Sequence, residues 1–178
     1  MKFEDLMRVN ETIMTIDVKG KQYAEVNQRI KAFRMLYPEG TIETEIIGIN
    51  DGVCIMRAKV YSSNEHGTRT LLGTGTAYEK ENSTFINKTS YIENCETSAV
   101  GRALAMCGIG IDTSVASAEE VINAINNQNN KGELLVKISK LMTEKKVLAN
   151  EPSEHFGKSS NEMSIEELKE VVKWLEEK

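Results

Sequence analysis

The side chains able to do chemistry in this 178-residue chain are few, and their spacing excludes most catalytic arrangements. The two histidines, His66 and His155, fall in a turn-like stretch and in the tail, with no Ser/His/Asp or Cys/His grouping around them. Cys54, Cys95 and Cys107 are odd in number and lack any CxxC spacing, so neither a zinc site nor a disulfide framework is expected. They read as small buried apolar residues. Glu43 and Glu45 share a strand face, but without a metal-site partner a nuclease is a weak reading and a solvated edge the better one. The run Gly73-Thr74-Gly75-Thr76-Ala77 has no following Gly-Lys-Ser/Thr and no strand-to-helix context. Its glycines are assigned to close backbone approach or a bulge. No catalytic residue, cofactor or metal is predicted, and the chain reads as a non-enzyme.

The basic side chains are more informative. Arg57 and Lys59 are two residues apart in a strand-like run, so they share a face with Ile55 and Tyr61, while Cys54, Met56, Ala58 and Val60 share the other. One face is apolar, the other basic and aromatic, as in a sheet packed under a helix with its far side open to a strand of DNA or to solvent. Charge as a whole argues the other way. Net charge is −5, and residues 1–128 alone hold 13 Lys and Arg against 17 Asp and Glu. A nucleic-acid binder usually has a basic balance; here any attraction must come from the local field of a groove, repeated in an assembly of subunits.

These residues need elements to position them. With 40% apolar content the chain can build one real core plus an appendage. Tyr23, Val26, Ile30, Phe33 and Tyr37 recur at spacings of three and four, which predicts a helix over residues 22–36 ended by Pro38 and Gly40. Its other side, with Lys21, Arg29, Lys31 and Arg34, is assigned to a solvated helix face. Three β-rich runs follow, Thr41–Ile49, Val53–Ser62 and Thr68–Lys80, separated by Asp51-Gly52 and by Asn64-Glu65-His66-Gly67. They predict an antiparallel meander. A polar connection over residues 82–92 leads to a helix from Glu93 ending near Gly108, with Val100, Ala103, Leu104 and Cys107 on one face and small residues Ala99, Gly101 and Ala103 for close packing on the sheet. Arg102 lies about 200° around from Val100, off that apolar face.

The remainder predicts a small helical module. Ser117-Ala118-Glu119-Glu120 is a capping-box pattern opening a helix to about Ile125, and Asn126–Asn130 reads as a polar linker. Helices are predicted over Leu134–Leu148 and from Ser164 to Lys178. The division expected is a core at 1–125, a linker at 126–130 and a helical module at 131–178. The fold class predicted is α+β, a three-stranded antiparallel meander packed on a helix.

The order of helix, meander, lysine-bearing connection and the helix Ala99-Val100-Gly101-Arg102-Ala103-Leu104 followed by Gly108 resembles the annealing core of the Rad-fifty-two superfamily, including phage single-strand annealing proteins of the Sak and Erf kind. That resemblance covers about residues 20–125. It implies a basic groove on the DNA backbone in which Arg102 matches the family's arginine, the preceding lysine being replaced by Gly101. Lys88 is the nearest match to a lysine before the helix, and Arg57 and Lys59 come from the sheet. Tyr61, Tyr78 and Tyr91 are candidate stacking platforms. The implied DNA-binding set is Arg102, Lys88, Arg57, Lys59, Tyr61 and Tyr91.

The function implied is single-stranded DNA binding and annealing in phage-type recombination by a ring- or filament-forming homo-oligomer. The alternative is a phage regulator that binds a host protein through the same fold. A protein partner is also expected for the C-terminal helices. With no run near ~20 apolar residues and no signal-like amino terminus, the chain is expected in the cytoplasm, that of a bacterial host if phage-encoded, and away from membranes.

Overall fold

Lys19 and Gly20 both take positive φ, 53° and 80°, the backbone needed for a two-residue hairpin turn whose twist matches its strands. In the computed structural model, which describes residues 2–84, 86–111 and 114–178, they join strand β1 (Thr15–Val18) to β2 (Lys21–Ala24) as a small two-stranded sheet. A helix α1 (Phe3–Asn10) precedes the hairpin and α2 (Val26–Leu36) follows it. The helix predicted from residue 22 therefore begins four residues later. Gln22 and Tyr23 are paired in the hairpin, and the three-and-four spacing of Tyr23 with Val26 spans a strand–helix junction.

Asp51 and Gly52, with φ of 49° and 71°, make the same kind of turn between β3 (Thr41–Asn50) and β4 (Val53–Ser63), and β5 (Arg69–Lys80) completes an antiparallel sheet of order β3-β4-β5. The inner face of β4 is closed: Cys54, Met56, Ala58 and Val60 are all buried. Helix α3 (Asn87–Met106) covers it, with a non-helical break at Ser90. Residues 87–92, predicted as connection, belong to this helix.

Gly73 and Gly75 face α3 across β5. A Cβ on Gly75 would lie 2.4 Å from the Ala103 amide nitrogen and 2.5 Å from the Ala99 carbonyl; one on Gly73 would lie 2.7 Å from the Ala103 carbonyl. The helix rests directly on the strand backbone here. Gly73 is also next to a bulge, because β4 passes from Val60↔Gly73 to Tyr61↔Leu71, leaving Leu72 as the extra residue. Ala99 and Ala103 thus make the close contact with the sheet. Gly101, grouped with them from the sequence, faces α2 instead, where an added Cβ would come within 2.8 Å of Val26.

Arg29, predicted on a solvated helix face, is fully buried. Its guanidinium donates to five carbonyls: Gly101 and Val115 at 2.9 Å, Ser114 at 2.7 Å, and Gly110 and Ala116 at 3.3 Å. Burial pulls its pKa below the usual value, and the nearby Glu120 and Glu119 oppose that fall. The misreading has a plain cause: a guanidinium can be buried when the surrounding backbone supplies acceptors, as it does here for both Nη groups, while Nε has no partner among the described residues.

Ser117 opens α4 (Ala118–Lys145) through the predicted capping box: the Glu120 amide donates to Ser117 Oγ at 3.3 Å, and the Ser117 amide to Glu120 Oε2 at 2.9 Å. This single helix contains Asn126–Asn130, so the expected polar linker is helical. Asn and Gln lose only tenths of a kcal/mol in a helix, about 0.7 at most, and helix formers on both sides carry them. The chain divides into two compact units, Met1–Asn123 and Ala124–Lys178. The second unit has its own core of Ile138, Met163, Leu168, Val171, Val172 and Leu175 and includes α5 (Glu151–Phe156) and α6 (Ile165–Glu177). Ser164 and Glu167 cap α6 as predicted. No helix among the described residues is long and apolar enough to cross a membrane.

Candidate nucleic-acid interface

Cross-strand register fixes which side chains meet on the sheet's outer face. One row sets Tyr61 between Thr41 and Leu71, the next Lys59 between Glu43 and Thr74, and the next Arg57 between Glu45 and Thr76. Beyond them Ile55 pairs with Tyr78, and Val53 with Lys80. Arg57, Lys59 and Tyr61 therefore share one face, as their alternation requires.

The two ends of that face differ electrostatically. At the Tyr61 end the cations are already occupied: Lys59 pairs with Glu45 at 3.5 Å, Arg69 pairs with Glu43 at 2.7 Å, and the Arg69 guanidinium sits 4.0 Å above the Tyr61 ring. Glu43 and Glu45 are thus ion-paired rather than merely solvated, and the Tyr61 ring already carries a cation on one face. At the other end Tyr78 is 72% exposed and Ile55 39%. Arg57 and Lys80 flank this pair along the strands, both exposed and neither in an ion pair among the described residues. Tyr78 was legible as a platform but was left out of the predicted set, and Lys80 was missed. The signal was available, since Tyr78 and Lys80 are two apart and fall on the face opposite Ala77.

Arg102 projects from α3 beside the edge strand β5, where Gly75 leaves room: an added Cβ there would come within 2.7 Å of the Arg102 Cβ. Its Nε donates to Glu120 Oε1 at 2.7 Å, the same carboxylate whose other oxygen closes the α4 cap. A groove of about 410 Å³ wraps the β5 edge here, with Ile55, Thr76 and Tyr78 contributing from the sheet and Ser98, Arg102 and Glu120 from the helices. Glu79 also borders it; burial pushes its carboxyl above the ordinary value, against a 2.6 Å hydrogen bond from Asn87.

The remaining predicted residues lie at the start of α3. Lys88 is exposed in its first turn, and Tyr91 is half-buried against the core. Among the described residues, no group of three or more His, Cys, Asp and Glu is placed to hold a metal ion.

A family model described as Slr1353 N-terminal dsRNA-binding domain-like matches residues 30–107. The matched segment is less than half of the chain and runs from within α2 to the end of α3. No curated protein matches the chain. This finding overturns the resemblance to Rad-fifty-two, Sak and Erf annealing proteins, because the segment that carried it matches a different family. The pattern that misled is a packing pattern. A β-meander under a helix with small residues at the contact arises wherever a helix rests on a sheet, whatever the ligand.

Proposed function

We propose that residues 26–107 bind nucleic acid, and that the protein acts by holding a strand or duplex rather than by chemistry on it. The family match over residues 30–107 carries this reading. The match runs unbroken from within α2 through the three strands to the end of α3, so it spans most of the helix–meander–helix unit. The exposed Arg57, Lys80 and Lys88 support it, being cations available for phosphate oxygens.

Net charge of −5 opposes long-range attraction, so binding rests on the local field and falls steeply with salt. Duplex RNA is the first ligand to test, since the family description names it, and such recognition works through groove shape, phosphates and 2′-hydroxyls. Single-stranded DNA is the second, favoured by the exposed ring of Tyr78 beside free cations. Annealing and self-assembly are further readouts of the same experiment. Full-length protein would be titrated into labelled duplex RNA, duplex DNA and single strands at two salt concentrations. Binding of at least one, weakened by salt, is expected. Absence of binding to all of them at low salt would overturn the proposal and leave a protein partner as the better reading.

A further inference from the structure

We infer that the outer face of β4 and β5 is a site for an unpaired nucleotide, its base stacked on Tyr78 and its flanking phosphates held by Arg57 and Lys80. This rests on the nucleic-acid reading above and names the form of ligand that the sheet takes.

Four observations converge on it. Tyr78 is a large aromatic ring left 72% exposed on the edge strand β5, and Ile55, its partner on the central strand β4, extends the apolar surface under any planar group laid there. Arg57 and Lys80 lie on the same face, one row before and one row after the Ile55–Tyr78 pair. At ~3.3 Å per strand residue, four residues along β4 or β5 separate those rows by roughly 13 Å, room for a base with a backbone phosphate on each side. Lys59 and Arg69 on this sheet are ion-paired with Glu45 and Glu43, whereas Arg57, which the register sets opposite Glu45, and Lys80 hold no ion pair among the described residues.

The fourth observation is the groove. Ile55 and Tyr78 line it from the sheet and Ser98, Arg102 and Glu120 from the helices, the last two bonded to each other, so apolar and hydrogen-bonding groups share one groove. Its volume of about 410 Å³ is within the usual range for small-ligand sites and ample for one base. A nucleobase has this same character, an apolar face with a hydrogen-bonding edge. The carboxylates Glu79 and Glu120 in the groove's lining disfavour a phosphate inside it, which favours a backbone held on the outer face. A base inside a blunt duplex cannot reach the ring without leaving its stack, so the site discriminates unpaired from paired nucleotides.

The test compares full-length wild type with Tyr78→Ala, Tyr78→Phe, Arg57→Ala and Lys80→Ala on three probes: a single strand, a blunt duplex, and that duplex with a single-stranded overhang. Tyr78→Ala should weaken single-strand and overhang binding by at least about fivefold, with blunt-duplex affinity unchanged and Tyr78→Phe close to wild type. Arg57→Ala and Lys80→Ala should each reduce the single-strand log-affinity against log-salt slope by about 0.7. DNA and RNA versions of each probe show whether the 2′-hydroxyl contributes. A Tyr78→Ala protein that binds single strands within twofold of wild type, or loses all three probes alike, overturns the site while leaving nucleic-acid binding intact. A wild type that binds no probe overturns both, and a peptide would then be the better occupant of the groove.

Discussion

Arg29 Nη1 donates to the Gly101 carbonyl at 2.9 Å, tying α2 to α3 at the point where Gly101 comes against Val26. The same guanidinium reaches the carbonyls of Ser114, Val115 and Ala116, so one side chain holds two helices and the segment leading into α4. Arg29→Ala would leave five carbonyls without their donor inside the protein, and a loss of about 3–5 kcal/mol is expected. Arg29→Lys should recover little of it, since an ammonium cannot span that set of acceptors. Urea unfolding of both variants measures this; near-wild-type stability for Arg29→Lys would show that charge alone suffices.

Gly75→Ala places a methyl group against the backbone of α3, which cannot swing aside as a flexible side chain could. A loss of roughly 1–3 kcal/mol is expected, towards the upper end. Gly48→Ala is the control, because nothing lies within 4 Å of the Cβ it would carry. Thermal melts of the two variants should separate clearly, and equal melting temperatures would contradict the close approach of α3 to β5.

The three thiols should be slow to react in the folded protein. Cys54 and Cys95 are buried, and burial with the neighbouring Cys54 pushes the Cys95 thiol up to about 12; burial pushes Cys107 up to about 11. At neutral pH almost none of either is thiolate, the reactive form. Labelling with iodoacetamide should give almost no adduct in native protein and three adducts in denaturant. Cys107, which is only part-buried, should be modified first as pH is raised.

In the second unit, Lys158 donates to Glu167 at 2.6 Å and the Ser164 amide donates to the same carboxylate at 2.7 Å. These hydrogen bonds, that from Lys158 foremost, lower the Glu167 pKa to about 2. A carboxylate depressed in the folded state contributes stability that is present above its unfolded value, near 4.3, and is lost as pH falls towards 2. Helicity of the α6 region should therefore weaken across that window, and Glu167→Gln should flatten the dependence. The effect will be modest, because the pair is solvent-exposed. An unchanged acid profile in the variant would remove Glu167 as its source.

Local rules wrote much of this fold into the sequence. Asp51-Gly52 set a hairpin because two positive φ values are needed there, alternation from Cys54 to Tyr61 separated a buried face from an exposed one, and the Ser117 and Ser164 boxes marked helix starts through bonds spanning three residues. Each of these depends on neighbours in the chain. The β1–β2 hairpin is equally local in its Lys19-Gly20 turn, a signal that the helix reading of residues 22–36 does not use.

What the chain could not disclose were relationships between residues far apart in it. Arg29 looks like a surface cation until carbonyls some 70 to 90 positions away surround it, and Arg102 looks free until Glu120 folds back onto it. Arg57 and Lys59 look equivalent on one strand face. The register sets Glu45 opposite Arg57, yet in the folded sheet that carboxylate pairs diagonally with Lys59, and Arg57 holds no ion pair among the described residues. Burial and ion pairing depend on which distant groups arrive at a side chain, and that is decided when the helices close on the sheet. The sequence determined the alternation that put a basic and aromatic row on one face; the tertiary structure decided which members of that row remain available to a ligand.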